Sequence, residues 1–197
     1  MQSTTLTTNR IVLRPWHEDD AAALYLLARD PKVGPRAGWQ PHEDEADSLR
    51  IIRGVLSAPE TYALILRTGE KTGALVGSVG LKIGRASDLA HGSNEAEMGC
   101  WVGRRFWGQG YAPEALRELT RHGFEDLALD AIWYGYYEGN EQSRRVQEKL
   151  GFVPDHIIED EPRPLLGDTA RTHVSLLTRK RWRCLRAQAG ASPTLPS

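Results

Sequence analysis

Two glycines stand one residue apart in the stretch Arg104-Arg105-Phe106-Trp107-Gly108-Gln109-Gly110-Tyr111-Ala112-Pro113. Glycines so spaced let a backbone turn tightly and approach another group closely. The run before the loop, 96–102 (AEMGCWV), is almost continuously apolar, and a helical apolar stripe follows it, so the order reads strand, loop, helix. The first amides of a helix have no partner within it, and the helix dipole adds partial positive charge, so such a junction can hold a pyrophosphate. Closely spaced glycines also serve simply as turns, and the loop alone leaves both readings open. A Walker loop is excluded, because it ends in Lys-Ser/Thr where this chain has Tyr111-Ala112-Pro113. A dinucleotide-binding unit has the right element order and an acidic residue at Glu138. Its third glycine, however, falls on Pro113, and the unit starts near residue 96 instead of opening the chain.

Further residues have types that do chemistry. Glu97 is the one charge in the apolar run; an unpaired carboxylate there would be costly and its pKa would rise, which suits a base, whereas a salt bridge to Arg or Lys suits a structural role. Ser143 lies three residues before Val146 and seven before Leu150, on their inward helical face, where its hydroxyl points toward core or ligand or bonds the first-turn backbone. Trp39, in a loop between two helical stretches, is either a pocket wall or a core tryptophan. Asp155, Glu159, Asp160 and Glu161 flank a late strand, as an attractor for a cation or as a solvated face. His173 reads as structural. Cys100 and Cys184 are far apart, with no CxxC or Cys/His spacing, so neither a disulfide framework nor a metal site is expected.

The elements that must hold these residues are legible as periodicities. A strand at 10–14 (RIVLR) leads into a helix with Ala21, Leu24, Tyr25 and Ala28 on one face. Three prolines and two glycines interrupt DPKVGPRAGWQP, after which Leu49, Ile52, Val55 and Leu56 mark a second helical stripe. Strands at 61–67 and 74–81 pair around a polar turn, a loop covers 82–95, and 96–102 is a central strand. A helix follows the glycine loop from Pro113 to about Ala128, with Leu116, Leu119, Gly123, Phe124 and Leu127 as its stripe. Then come a strand at 131–137, a helix ending at Gly151 as its cap, and two strands in HIIE and RTHVSLLTR. The small, polar end from residue 187 to 197 reads as a disordered tail, leaving 1–186 as a single domain.

Composition limits the partners. The 197 residues are 40% hydrophobic, enough for one domain with a sizeable core, and Lys+Arg 25 against Asp+Glu 26 gives a net charge of -1. That balance argues against a dedicated nucleic-acid or membrane-surface binder, although a local basic patch remains open. No long apolar run and no signal-peptide pattern are visible, so the expected location is cytoplasmic.

Arg105-Phe106-Trp107-Gly108-Gln109-Gly110 resembles the R/Q-x-x-G-x-G/A signature of the GNAT acetyltransferases. Asn140-Glu141-Gln142-Ser143 followed by Glu148-Lys149-Leu150-Gly151-Phe152 resembles the asparagine turn, helix and ending of the same family. RIVLRPWHEDDA and NEQSRRVQEKLGF are similar to the branch of ribosomal-protein N-terminal acetyltransferases, and the resemblance covers residues 8 to about 180. It implies an α/β (α+β) fold with a mixed sheet of about seven strands and about four helices, splayed between strands 4 and 5. It implies acetyl-CoA as co-substrate, no metal, and a primary amine acceptor on a protein N-terminus or a small molecule; dimers are common in the family. Cys100, Trp101 and Val102 would then bind pantetheine, Arg104, Arg105, Gly108, Gln109, Gly110, Tyr111 and Ala112 the pyrophosphate, and Asn140 the pantetheine or its sulfur. Many members place a tyrosine on the helix after the asparagine turn as the acid that protonates the thiolate; Gln147 stands there in this chain, and the branch it resembles often has the N-x-x-S serine instead, so the resemblance implies Ser143 as the acid. Trp39 would line the acceptor pocket. A non-catalytic acyl-CoA-binding module on the same fold is the alternative from another functional class.

Overall fold

The structure, a computed structural model, describes residues 4–190. Eight strands form one sheet in the order β1-β2-β3-β4-β5-β6-β8-β7. They are β1 (Leu6–Thr7), β2 (Ile11–Pro15), β3 (Thr61–Leu66), β4 (Leu75–Ile83), β5 (Glu95–Val102), β6 (Ala131–Tyr137), β7 (Val153–Arg163) and β8 (Asp168–Thr178). Every neighbouring pair is antiparallel except β5–β6, which runs parallel. The strand beyond the expected seven is β1, whose two residues are too few for a periodicity to show.

The helices are α1 (Ala21–Ala28), α2 (Glu45–Ile51), α3 (Tyr111–Glu125), α4 (Glu141–Leu150) and α5 (Arg179–Gly190). Gly110 (φ +79) starts α3, so the helix begins two residues before Pro113, which sits in the first turn where no N–H is needed. Asn140 caps α4 by accepting from the Ser143 amide, and Gly151 ends it in the left-handed conformation at φ +87. The stripe expected to run through Val55 is cut short, because residues Ile52–Leu56 form a wider π turn that buries Ile52 and leaves Val55 57% exposed.

The sequence reading missed α5. Its basic run Arg179-Lys180-Arg181-Trp182-Arg183 hides an apolar pair, with Trp182 packed on Phe124 and Leu185 against Gly151. Residues 187–190 of the expected tail belong to this helix, whose pairing with α3 and α4 the small, polar composition does not reveal; 191–197 lie outside the described residues.

Alternation along β5 assigns its two faces. Register places Met98 beside Leu81 and Cys100 beside Val79, while Gly123 of α3 abuts Leu81 and Ile132, so this face lies under α3. Glu97 and Trp101 point to the opposite face. Of most consequence, the β5–β6 ladder contains only Glu95↔Ala131, Ala96↔Ile132 and Glu97↔Trp133. Beyond Glu97 the two strands diverge, which is the splay expected in the middle of the sheet.

Candidate active site

The gap between β5 and β6 is bordered by strand backbone with no ladder partner on that side. Buried N–H and C=O groups need partners, so an elongated molecule carrying amides is the natural complement of two such edges. At the mouth of the gap lies the glycine loop. Gly108 (φ +74) and Gly110 (φ +79) both occupy the left-handed region, and a Cβ at Gly108 would meet nothing within 4 Å. Among the described residues, the amides of Gly108, Gln109, Gly110, Tyr111 and Ala112 have no protein acceptor. Unpartnered amides in a loop and at the start of a 15-residue helix make an anion cradle.

The side chains around the cradle are organised by Glu114. It accepts from Thr8 Oγ1 at 2.6 Å, from the Arg10 amide at 2.9 Å and from Arg10 Nε at 2.7 Å. Burial opposes ionisation of Glu114, yet the Thr8 and Arg10 bonds hold its carboxyl below the usual range. Arg10 also lies over the Tyr111 ring at 4.8 Å and donates to the Gln109 carbonyl at 3.0 Å, which pins the loop. Arg104 is 3.9 Å from Asp30, and Arg105 lies over Phe106. Gln109 Nε2 donates to the Arg105 carbonyl at 2.9 Å, and Trp107 Nε1 donates to the Val102 carbonyl at 2.6 Å. Arg10, just before β2, is the residue gripping the loop that sequence reading overlooked, because it lies 99 residues from the carbonyl it binds.

On the α3 face, Cys100, Tyr134, Ser143 and Gln147 converge. Burial pushes the Cys100 thiol up to about 12, so it is a neutral wall rather than a nucleophile. The Ser143 hydroxyl is met by Gln147 Nε2, which donates to it at 3.3 Å, and the Tyr134 phenol lies nearby. Its recorded partner is therefore a side chain, in place of the first-turn backbone. Tyr134 escaped sequence reading because three tyrosines fall in 131–137 and the sequence does not show which one faces the helix.

The opposite face carries Trp39, edge-on to Trp101 with centroids 5.7 Å apart, and Tyr137, whose hydroxyl lies beside Gly38. Trp39 thus touches the strand expected to bind the cofactor. It also contacts His42 at 5.2 Å; burial pushes the His42 imidazole down, and its Nδ1 is 2.8 Å from Ser48 Oγ. Arg36 straps this loop across the mouth, lying 5.1 Å from the Trp107 ring and donating to Gln142 Oε1 at 3.2 Å.

Glu97 is not the isolated carboxylate that its sequence setting suggested. Its Oε1 lies 3.2 Å from Lys82 Nζ, and its Oε2 accepts from Ser87 Oγ and the Asp88 amide, each at 3.1 Å. Lys82 faces it across the β4–β5 ladder, a pairing that sequence cannot place. Asp155, Glu159 and Asp160 are exposed along β7, one of the sheet's two edge strands, where charge discourages edge pairing. His173 stacks on Tyr136 at 5.0 Å. Among the described residues no group of three or more His, Cys, Asp or Glu is placed to hold a metal, and no helix is long and apolar enough to cross a membrane.

A mixed sheet splayed at its single parallel pair, with a glycine loop at the gap feeding a helix, is the architecture that positions these residues. The sequence pattern of the family described as "Acetyltransferase (GNAT) domain" matches residues 10–153, and the chain belongs to that family of acyltransferases. It is 26% identical over 161 residues to a Bacillus licheniformis protein named "Uncharacterized N-acetyltransferase p20", covering 79% of this chain and 86% of that protein. Over 83 residues it is 34% identical to YdaF of Bacillus subtilis (strain 168), whose name proposes a ribosomal N-acetyltransferase, covering 42% and 43% of the two chains. Its fold is similar to the crystal structure of a GNAT-family acetyltransferase from Bacillus anthracis, with a TM-score of 0.76 at 20% identity over 90% of this chain and 99% of that one.

Proposed function

We propose that the protein transfers an acetyl group from acetyl-CoA to a primary amine, on a protein N-terminus or a small molecule, within one ternary complex. The observation that carries this reading is the strand divergence after Glu97, opening beside five unpartnered amides at residues 108–112. The pyrophosphate rests on those amides, with Arg104 and Arg105 adding charge-assisted bonds at the rim. Pantetheine lies between β5 and β6 against Cys100, Trp101 and Val102. Asn140, whose side-chain oxygen is engaged in capping, fixes the start of α4 and so the place of Ser143.

The amine enters from the Trp39 and Tyr137 face. Its nitrogen attacks the acetyl carbon, the C–N bond forms as the C–S bond breaks, and the thiolate receives a hydrogen bond from the Ser143 hydroxyl. With both Glu97 oxygens engaged, that carboxylate anchors the 84–90 loop, and the ammonium proton passes to water. The raised pKa of the Cys100 thiol argues against its forming a covalent acetyl-enzyme. The same fold without catalysis would bind acetyl-CoA but release no coenzyme A.

Thermal unfolding with acetyl-CoA, against NAD and ATP as controls, tests the reading. At about 100 Kd, binding to the native state alone adds roughly 2.7 kcal/mol, on the order of 5 to 10 °C in Tm for a chain of this length. A shift with acetyl-CoA, followed by thiol release on adding peptide or polyamine amines, is expected. A shift with NAD alone would overturn it.

A further inference from the structure

Beside the glycine loop lies an open groove of about 600 Å³. Its walls are the turn joining β1 to β2 and one face of α3, on which Gly110, Glu114, Arg117 and Glu118 follow the i, i+4, i+7, i+8 spacing of a single helical stripe. Lys149 reaches the same groove from α4, and Arg10 from the turn.

The carboxylates on this groove are already matched. Glu114 holds Thr8 and Arg10, and Glu118 Oε1 accepts from Arg121 Nε at 2.9 Å and from Nη2 at 2.8 Å. The cations are not. Arg117 and Lys149 are exposed and join no ion pair or side-chain hydrogen bond among the described residues. Arg10 spends its Nε and one Nη2 hydrogen on Glu114 and one Nη1 hydrogen on the Gln109 carbonyl, which leaves one N–H on each Nη. Its Nη2 lies 3.3 Å from the place a Cβ would take at Gly110, so this unspent donor borders the cradle of loop amides. The groove is thus the local basic patch that a net charge of -1 left open.

Acetyl-CoA carries phosphate in two places, the pyrophosphate and a monoester on the ribose next to it. Arg117 stands six residues beyond Tyr111, about 9 Å further along the helix, a distance that a ribose and a long arginine side chain together bridge. We infer that this groove binds the 3′-phosphate of the donor, with Arg117 and Lys149 as its cationic partners and Arg10 between the two phosphate positions. The inference rests on the proposed acetyl-CoA site and deepens it. The protein tells coenzyme A from its 3′-dephospho form at a place remote from the reacting carbonyl, so the effect falls on donor affinity and leaves the chemical step alone.

Titration calorimetry of the full chain with coenzyme A and with 3′-dephospho-coenzyme A, at low salt, isolates the 3′-phosphate. Two exposed ion pairs of ordinary strength give coenzyme A about a 2- to 30-fold advantage. Arg117→Gln and Lys149→Gln each reduce that ratio, the double variant brings it close to unity, and affinity for the dephospho form stays at its native value. Salt at about 1 M shrinks the native ratio as well, because exposed charges are then screened within about 3 Å. Both side chains are exposed, so neither substitution disturbs the core, and an unchanged Tm verifies it. Equal native affinities for the two ligands, or a ratio that survives both substitutions, would overturn the inference. Failure of the native chain to bind either ligand would instead overturn the proposed function itself, which separates the two.

Discussion

Gly108→Ala and Gly167→Ala form a matched pair that isolates ligand binding from backbone strain. Both glycines have φ +74, and at neither would a Cβ meet any atom within 4 Å. Placing an L side chain in this left-handed region costs about 1–2 kcal/mol at either site. For a chain of this length the loss lowers Tm by roughly 2–8 °C, and by a similar amount in the two variants. They differ in what surrounds them. Gly167 turns the hairpin between β7 and β8, whereas the methyl of Gly108→Ala stands beside the unpartnered amides of residues 108–112. Losing two amide bonds to a phosphate, at about 1.5–3 kcal/mol each, weakens binding about 10²- to 10⁴-fold. Titration calorimetry with acetyl-CoA on the two folded variants measures this directly. If Gly108→Ala binds acetyl-CoA as tightly as Gly167→Ala does, the loop is only a turn and the pyrophosphate reasoning is wrong.

Glu97→Gln distinguishes an anchor from a base. With Lys82, Ser87 and the Asp88 amide on its oxygens, the substitution is expected to lower kcat/KM less than about tenfold, whereas loss of a general base costs about 10²–10⁴ and removes the acidic limb of the pH profile. His122, 3% exposed, sits between Glu60 Oε2 at 2.9 Å and Asp126 Oδ2 at 2.8 Å. The Glu60 bond leads in raising its pKa above the ordinary 6.5, so its contribution to stability is complete below 6.5 and is lost as pH rises through the higher folded value. Tm measured upward from pH 6.5 should therefore fall, and His122→Gln should flatten that fall; an unaltered profile would remove His122 as its source.

How much of this was legible in sequence depended on whether the information was local. Helix α4 was readable because Asn140 and Gly151 mark its ends, and β6 because AIWYGYY is a compact aromatic run between turn signals. The glycine loop was readable because few residue types permit its conformation. What stayed hidden depends on cross-strand or long-range pairing. Glu97 looked solitary until register brought Lys82 opposite it, Arg10 gave no sign of gripping a loop about a hundred residues away, and the nearness of Tyr134 to Ser143 needs both the strand's facing and the helix's docking. Helix α5 was missed for a related reason, since its apolar face is only Trp182 and Leu185, and their partners Phe124 and Gly151 come from other helices.

The three residue pairs that join β5 to β6 also make the sheet two panels, β1 to β5 and β6 to β8, meeting along a short seam. A molecule bonded to both edges beyond that seam acts as a clasp, tying the panels together while it is bound and letting them part when it goes. Donor binding should therefore stiffen the whole sheet as well as its own contacts, and amide exchange in β6 and β8, far from the glycine loop, should slow in step with occupancy. Catalytic turnover in such a protein is also a cycle of fastening and release.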